Sequence, residues 1–348
     1  MNGKLYDASE LFNREFTGWN LGQHGTALLE PLEWELQGEL VCRLCWRGDG
    51  SGDERYWVEI SIGVPALSER GETLCMEAAY GENTMIDLDY LGAPRSRRDE
   101  GLGSLCWITG DLHADNAPGC RLAGHHWPAA STLTEDEYVI VCGDFGYVWD
   151  CDEKHGDDLD WFENKPWTTL FVDGDREDHP TLGGYPVERW HGGLTHVIRP
   201  NVRHLMRGQV FEDIAGARIL AMGGASSYDK ELRKPGVDWW PQELPDEKDF
   251  EECHRNLDAC GWKVDYVVTH EAPADVAERL SKLRDRTFDA ANGGDRHQRF
   301  LKELQYKLEY KRWYFGHYHY DRDMEDAKDM TVLFRRVLRL GESFEGGL

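Results

Sequence analysis

The chain has 348 residues, room for one large or two ordinary domains. Its formal net charge of -26 repels polyanions, which argues against bulk nucleic-acid binding but leaves room for a small anion at a metal site. No apolar run approaches the ~20 residues of a membrane span. The opening MNGKLYDASELFNREF lacks a basic stretch followed by an apolar one, so a cytoplasmic protein is expected. Nine scattered cysteines argue against a disulfide framework. Cys42 and Cys45 form a lone CxxC; a structural zinc needs two more ligands, so buried thiols are expected there.

Residues 1–103 carry the alternating segments ELVCRLCWRG and RYWVEISIGV, separated by the turn-rich GDGSGDE. That pattern predicts an antiparallel hairpin in a β-rich N-terminal region, which could also serve as a protein-binding module. The charged, glycine-containing stretch Ala93 to Gly103 is the candidate boundary with a second domain, 104–348.

From Leu105 the texture changes. Short apolar runs recur, each closed by Gly, Asp or His: LCWITGDLH, YVIVCGDFG, TLFVDGDRED, RILAMGGAS, VDYVVTHEAP and RWYFGHYHYD. Continuous apolar runs of this length predict strands buried on both faces. PADVAERLSKLRDR and GGDRHQRFLKELQYKLEY predict helices, the second with Asp295 as N-cap and a stripe of Phe300, Leu301, Leu304 and Leu308. A layered α/β architecture follows.

The polar residues fall at the same place in each unit. Asp111 and His113 follow the first run, Asp144 the second, Asp175 the third, His270 the fifth, and His317 and His319 the last. A lone Asp after a strand is ordinarily a turn residue or helix cap, and a lone His an ordinary loop or core residue. Together, at the carboxyl ends of buried strands where α/β sheets bind ligands, they predict a metal centre. Mixed carboxylate and imidazole donors suit Mn, Fe, Zn or Ni better than Mg or Ca. Seven side chains are too many for one ion and suit two, with one carboxylate bridging.

The order GDLH, GDFG, GDRE, THEAP and GHYH resembles the calcineurin-like metallophosphoesterases, in a bacterial and phage-associated branch that also shares HLMRGQVF, GGASSYDKELR and DWWPQE. The resemblance covers about Leu105 to Leu340. It implies an α/β/β/α sandwich and a metal-dependent phosphoric ester hydrolase acting on a small phosphorylated substrate. It implies two divalent transition-metal ions, manganese first among them. One ion would rest on Asp111, His113 and His319 and the other on Asp175, His270 and His317, with Asp144 bridging.

One stretch departs from the family. Gly-Asn-His-Asp/Glu is replaced by Gly174-Asp175-Arg176-Glu177. The double change conserves the formal charge of the site. It substitutes a group that clamps phosphate for one that can also release a proton near neutral pH. Arg176 is therefore the expected phosphate clamp and Glu177 a support behind the ligands. The alternative is a catalytically impaired protein that binds metal or phosphate without turnover. Arg207, Asp229 and Lys230 are expected to line the pocket. His179, His196 and His204 lie near it in sequence, where one could replace the missing acid. His125 to Trp127 would form a rim or an exposed loop.

Overall fold

The computed structural model describes residues 104–114, 120–123, 127, 129–130, 133–149, 153–283, 288–324, 327 and 329–344, with the backbone of five strands among the first hundred. The side chains of Cys42 and Cys45, and all of His24, His125 and His126, lie outside the described residues. The chain falls into two compact units, one of residues 1–94 with 122–132, the other of 95–121 with 133–348.

In the first unit, β1 (Thr26–Leu28), β2 (Leu32–Glu33), β3 (Glu39–Arg47), β4 (Arg55–Gly63) and β5 (Thr73–Ala78) form one antiparallel sheet. β3 and β4 are the hairpin expected from the alternating segments, paired from Glu39 opposite Gly63 to Arg47 opposite Arg55.

The second unit is mixed α/β with two mixed sheets. Parallel pairing joins β6 (Cys106–Thr109), β7 (Tyr138–Val141), β8 (Thr168–Phe171) and, later in the chain, β11 (Val202–Leu205). β9 (Val187–Trp190) and β10 (Gly193–Arg199) extend one side antiparallel to this ladder. In the other sheet, β13 (Ala217–Met222), β14 (Tyr266–Thr269), β15 (Arg312–Phe315) and β17 (Met330–Val332) are parallel. β12 (Gln209–Ile214) and β16 (Arg322–Asp323) are its antiparallel edges, and β18 (Leu338–Arg339) returns to pair with β6.

The apolar runs are continuous because both strand faces are covered. Successive side chains on a strand point to opposite faces. On β14 and β15, Val268 and Tyr314 join a cluster that also holds Ile108, Ile140 and Leu170 of the other sheet. Their neighbours Val267, Trp313 and Phe315 pack instead against Phe250, Leu257, Leu280, Phe300 and Leu304. Those residues come from α2 (Glu247–Ala259), α3 (Ala274–Leu283) and α4 (Arg296–Lys307). Each such side chain, fully buried, contributes roughly 1.5–3 kcal/mol. On the far face of the first sheet, Phe171 stacks on Phe145 at 4.5 Å, and Phe162 of α1 (Glu153–Glu163) meets Tyr147 at 4.8 Å.

α4 starts where expected. The Asp295 carboxylate accepts from the His297 and Gln298 amides, and the Gln298 side chain accepts from the Asp295 amide. Asp246 and Asp249 form the same reciprocal cap on α2. No helix of the described residues is long and apolar enough to cross a membrane.

Candidate metal centre

Each parallel ladder delivers its loops at the carboxyl ends of its strands, and the seven strand-end Asp and His residues meet there. Three sets bring their ligand atoms within 4.8 Å of one another: Asp111 with His113 and His319, Asp175 with His270 and His317, and Asp111 with Asp144 and His270. These clusters can hold a metal ion.

Asp111 is fully buried after β6. Its Oδ1 accepts the His317 amide at 3.0 Å. Its Oδ2 lies 3.1 Å from His319 Nε2 and 3.6 Å from His113 Nε2, yet this buried oxygen makes no hydrogen bond. The two imidazole Nε2 atoms stand 2.9 Å apart. Three donor atoms thus converge on one point, an arrangement a cation satisfies.

Asp144 faces both ways. Its Oδ1 is 3.3 Å from His270 Nε2 and its Oδ2 is 3.5 Å from His113 Nδ1. The same Oδ1 accepts the amides of Asp175 and Arg176, each at 2.9 Å, which pins the Asp175 loop to the Asp144 loop. His270 Nδ1 is 2.7 Å from the Cys142 carbonyl. A carbonyl only accepts, so Nδ1 carries a proton, and Nε2 is the nitrogen turned toward the carboxylates. Asp175 Oδ1 is 3.4 Å from that nitrogen and 3.1 Å from His317 Nδ1.

The backbone is strained where these groups sit. His113, Asp144, His317 and His319 have φ of 55°, 48°, 65° and 54°, in the left-handed region. Such conformations cost roughly 1–3 kcal/mol each and concentrate at functional sites. Two motif glycines answer to close approach. A Cβ on Gly174 would stand 2.2 Å from Asp144 Oδ1, and one on Gly316 would stand 2.2 Å from Asp111 Oδ1.

The electrostatics follow from three buried carboxylates set close together. Burial opposes the charge on Asp111, but His319, His270 and His113 outweigh it and draw its pKa down to about 2. Burial likewise opposes charge on Asp175 and is outweighed by His270 and His317, which hold it well below the usual carboxylate range. His270 is the counterpart: despite burial, Asp144 and then Asp175 keep its proton well above the ordinary histidine value. His317 is raised too, by Asp175 and Glu271 against burial. These are the protons that a bound cation replaces.

The charges of GDRED separate into distinct tasks. Glu177 is fully buried; its carboxylate accepts the amides of Phe145 at 2.8 Å, Gly146 at 3.3 Å and Gly174 at 2.7 Å, tying two ligand loops together. Arg176 Nε is 3.6 Å from Asp175 Oδ2, and its Nη2 donates to Asp229 at 3.1 Å. Arg207 is placed elsewhere. Its guanidinium donates to Asp173, Asp249 and the carbonyls of Gln242 and Glu243. Lys230 is exposed at the start of a 3-10 turn.

The three nearby histidines gather on Asp173. His204 Nε2 is 3.1 Å from Asp173 Oδ1, His196 Nδ1 is 2.9 Å from His204 Nδ1, and His179 Nδ1 is 4.0 Å from Asp173 Oδ2. Burial pushes His179 and His196 down to about 4, so neither is charged near neutral pH.

Sequence reasoning does not anticipate Arg233, Ser227, Glu243 or Glu271. Arg233 Nη1 donates to the Asp175 carbonyl at 3.3 Å, and its Nη2 is 3.7 Å from Asp175 Oδ2. The Ser227 hydroxyl lies 3.2 Å from Asp175 Oδ2 and 2.5 Å from Glu243 Oε2. Glu271 Oε2 is 3.9 Å from His317 Nε2. Only Glu271 has a local signal, its place beside His270 in THEAP. No protein-family model and no curated protein matches the chain.

Proposed function

We propose that the protein is a metal-dependent phosphoric ester hydrolase of the calcineurin-like type, cytoplasmic, acting on a small phosphorylated substrate. The observation that carries this reading is Asp144, whose two oxygens each face one histidine-containing group at the carboxyl ends of two parallel ladders. Two divalent transition-metal ions would be held by Asp111, His113 and His319 and by Asp175, His270 and His317, with Asp144 between them. Bound there, such ions supply Lewis acidity toward a phosphoryl group and activate water.

The chain's own residues do the rest. Cys142 fixes the His270 tautomer, and Glu177 and Asp144 clamp the ligand loops, so the donor set is held in place before substrate arrives. Arg176 adds positive charge beside the site for a phosphoryl oxygen. It releases no proton near neutral pH, so a poor leaving group departs unassisted by this residue.

A second reading is a phosphate-binding protein without turnover. It is favoured by Arg176, whose guanidinium is already held by Asp175 and Asp229. Hydrolysis of nitrophenyl phosphate by the purified full-length chain, with and without manganese, separates the two. Manganese-dependent turnover supports the hydrolase; bound metal with no turnover supports the second reading.

A further inference from the structure

Arg176 and Arg233 converge on the outer oxygen of Asp175, at 3.6 Å and 3.7 Å. The same two side chains hold the Asp229 carboxylate between them. Arg176 Nη2 donates to Asp229 Oδ2 at 3.1 Å, and Arg233 Nη2 stands 2.7 Å from Asp229 Oδ1. The second contact is close but misaligned. Arg233 Nε, Arg233 Nη2 and Asp229 Oδ1 are all buried and make no hydrogen bond. Arg233 is 5 % exposed, so two buried guanidinium donors have no acceptor in line. A single planar carboxylate does not satisfy both forks.

We propose that Arg176 and Arg233 form an oxyanion subsite for a phosphoryl group beside Asp175, and that Asp229 is an internal anion a phosphate displaces. A phosphate carries more charge than a carboxylate, and its oxygens spread tetrahedrally, so it reaches donors of two guanidinium groups at once. Displacement is feasible because Asp229 and Arg176 are 25 % and 30 % exposed. In the same segment Leu232 is largely exposed. Arg207 cannot take this part, because its donors are committed to Asp173, Asp249 and two carbonyls. The binding claim stands without any metal; that the bound phosphoryl group belongs to a hydrolysed ester rests on the proposed function.

The test is calorimetric titration of the full-length chain with inorganic phosphate, after treatment with chelator. Asp229→Asn removes the internal charge and keeps the shape, and should tighten phosphate binding about tenfold over wild type, the worth of one charged hydrogen bond. Adding Arg176→Met should cancel that gain. Arg176 is the safer partner to remove, since Arg233 is buried and Arg233→Met risks misfolding. Phosphate bound no tighter by Asp229→Asn, or a gain that survives Arg176→Met, overturns the subsite. Elemental analysis of the same variants after metal loading keeps the two readings apart. Unchanged metal content with no phosphate effect removes the subsite and leaves the metal centre; a phosphate effect without bound metal does the reverse.

Discussion

Asp173 and Asp175 are two residues apart on one loop, both buried and both among histidines, yet their surroundings differ in kind. Asp173 faces a permanent cation. Burial opposes its charge, but Arg207 and then His204 outweigh it and hold it well below the usual carboxylate range. The histidines beside it, His179 and His196, are neutral near pH 7. Asp175 shares a pocket with Asp111 and Asp144, and there the excess negative charge holds protons on His270 and His317 instead. The Asp173 cluster is balanced by Arg207. In the other, Arg176 and Arg233 reach only the outer oxygen of Asp175, and the inner face it shares with Asp111 and Asp144 holds protons, which are exchangeable for a cation. A buried Asp/His cluster is therefore read by what neutralises it, not by its composition.

The comparison can be broken at its strongest point. Asp144→Ala should lose more metal than any other single change, beyond the ~10–100-fold that loss of an outer partner costs. Asp173→Asn should keep its metal and instead lose about 3 kcal/mol of stability, because it takes from buried Arg207 its closest charged partner and leaves Asp249 alone to balance it. Metal content and thermal melts of both variants decide this. If Asp173→Asn releases the metal while Asp144→Ala retains it, the two clusters have been assigned the wrong way round.

Substrate preference comes next. A positioned acid is typically worth ~10²–10⁴-fold, and Arg176 supplies none, so alkyl esters should be hydrolysed far more slowly than nitrophenyl esters. The double change Asp175→Asn with Arg176→His should raise the alkyl rate more than the aryl rate. Equal wild-type rates on both classes would mean that another residue donates the proton.

The pH response is smaller and has a definite sign. In chelator-treated protein the folded-state pKa values of His270 and His317 lie above the unfolded value of 6.5. Their contribution to stability is full below about pH 6.5 and is lost as pH rises through the raised values. Asp111 works at the other end, contributing above its unfolded 3.8 and losing this as pH falls through about 2. Chelated protein should therefore melt higher at pH 6 than at pH 8.5, and the increment given by manganese should grow over that interval. A manganese increment that shrinks with rising pH would contradict the exchange of protons for metal.

The smallest effect belongs to a helix cap that touches the Asp173 cluster only through Asp249 and Arg207. Asp246→Ala removes the reciprocal cap of α2 and should cost about 1 kcal/mol with metal content unchanged.

Much of this is legible in the sequence, for identifiable reasons. The ladders β6, β7, β8 and β13, β14, β15 are legible because both faces are buried, so each strand is a continuous apolar run closed by its loop residue. The seven Asp and His residues stand out because they recur at that position. β9 escapes this logic: Val187, Glu188 and Arg189 are exposed, so VERW carries no apolar run. Arg233 is invisible for another reason. It lies 58 residues from Asp175, and only folding of the 227–240 segment against β8's loop brings its guanidinium there. The left-handed backbone at His113, Asp144, His317 and His319 has no sequence mark beyond residue types that tolerate it. The Asp175-Arg176 pair is visible in the sequence, but its partners Arg233, Asp229 and Ser227 are tertiary.

The most direct measurement is the metal content of the full-length chain by elemental analysis, after reconstitution in turn with manganese, iron and zinc and removal of free ion. The account predicts about two ions per chain, falling most steeply on Asp144→Ala. A content near zero with all three metals would contradict it.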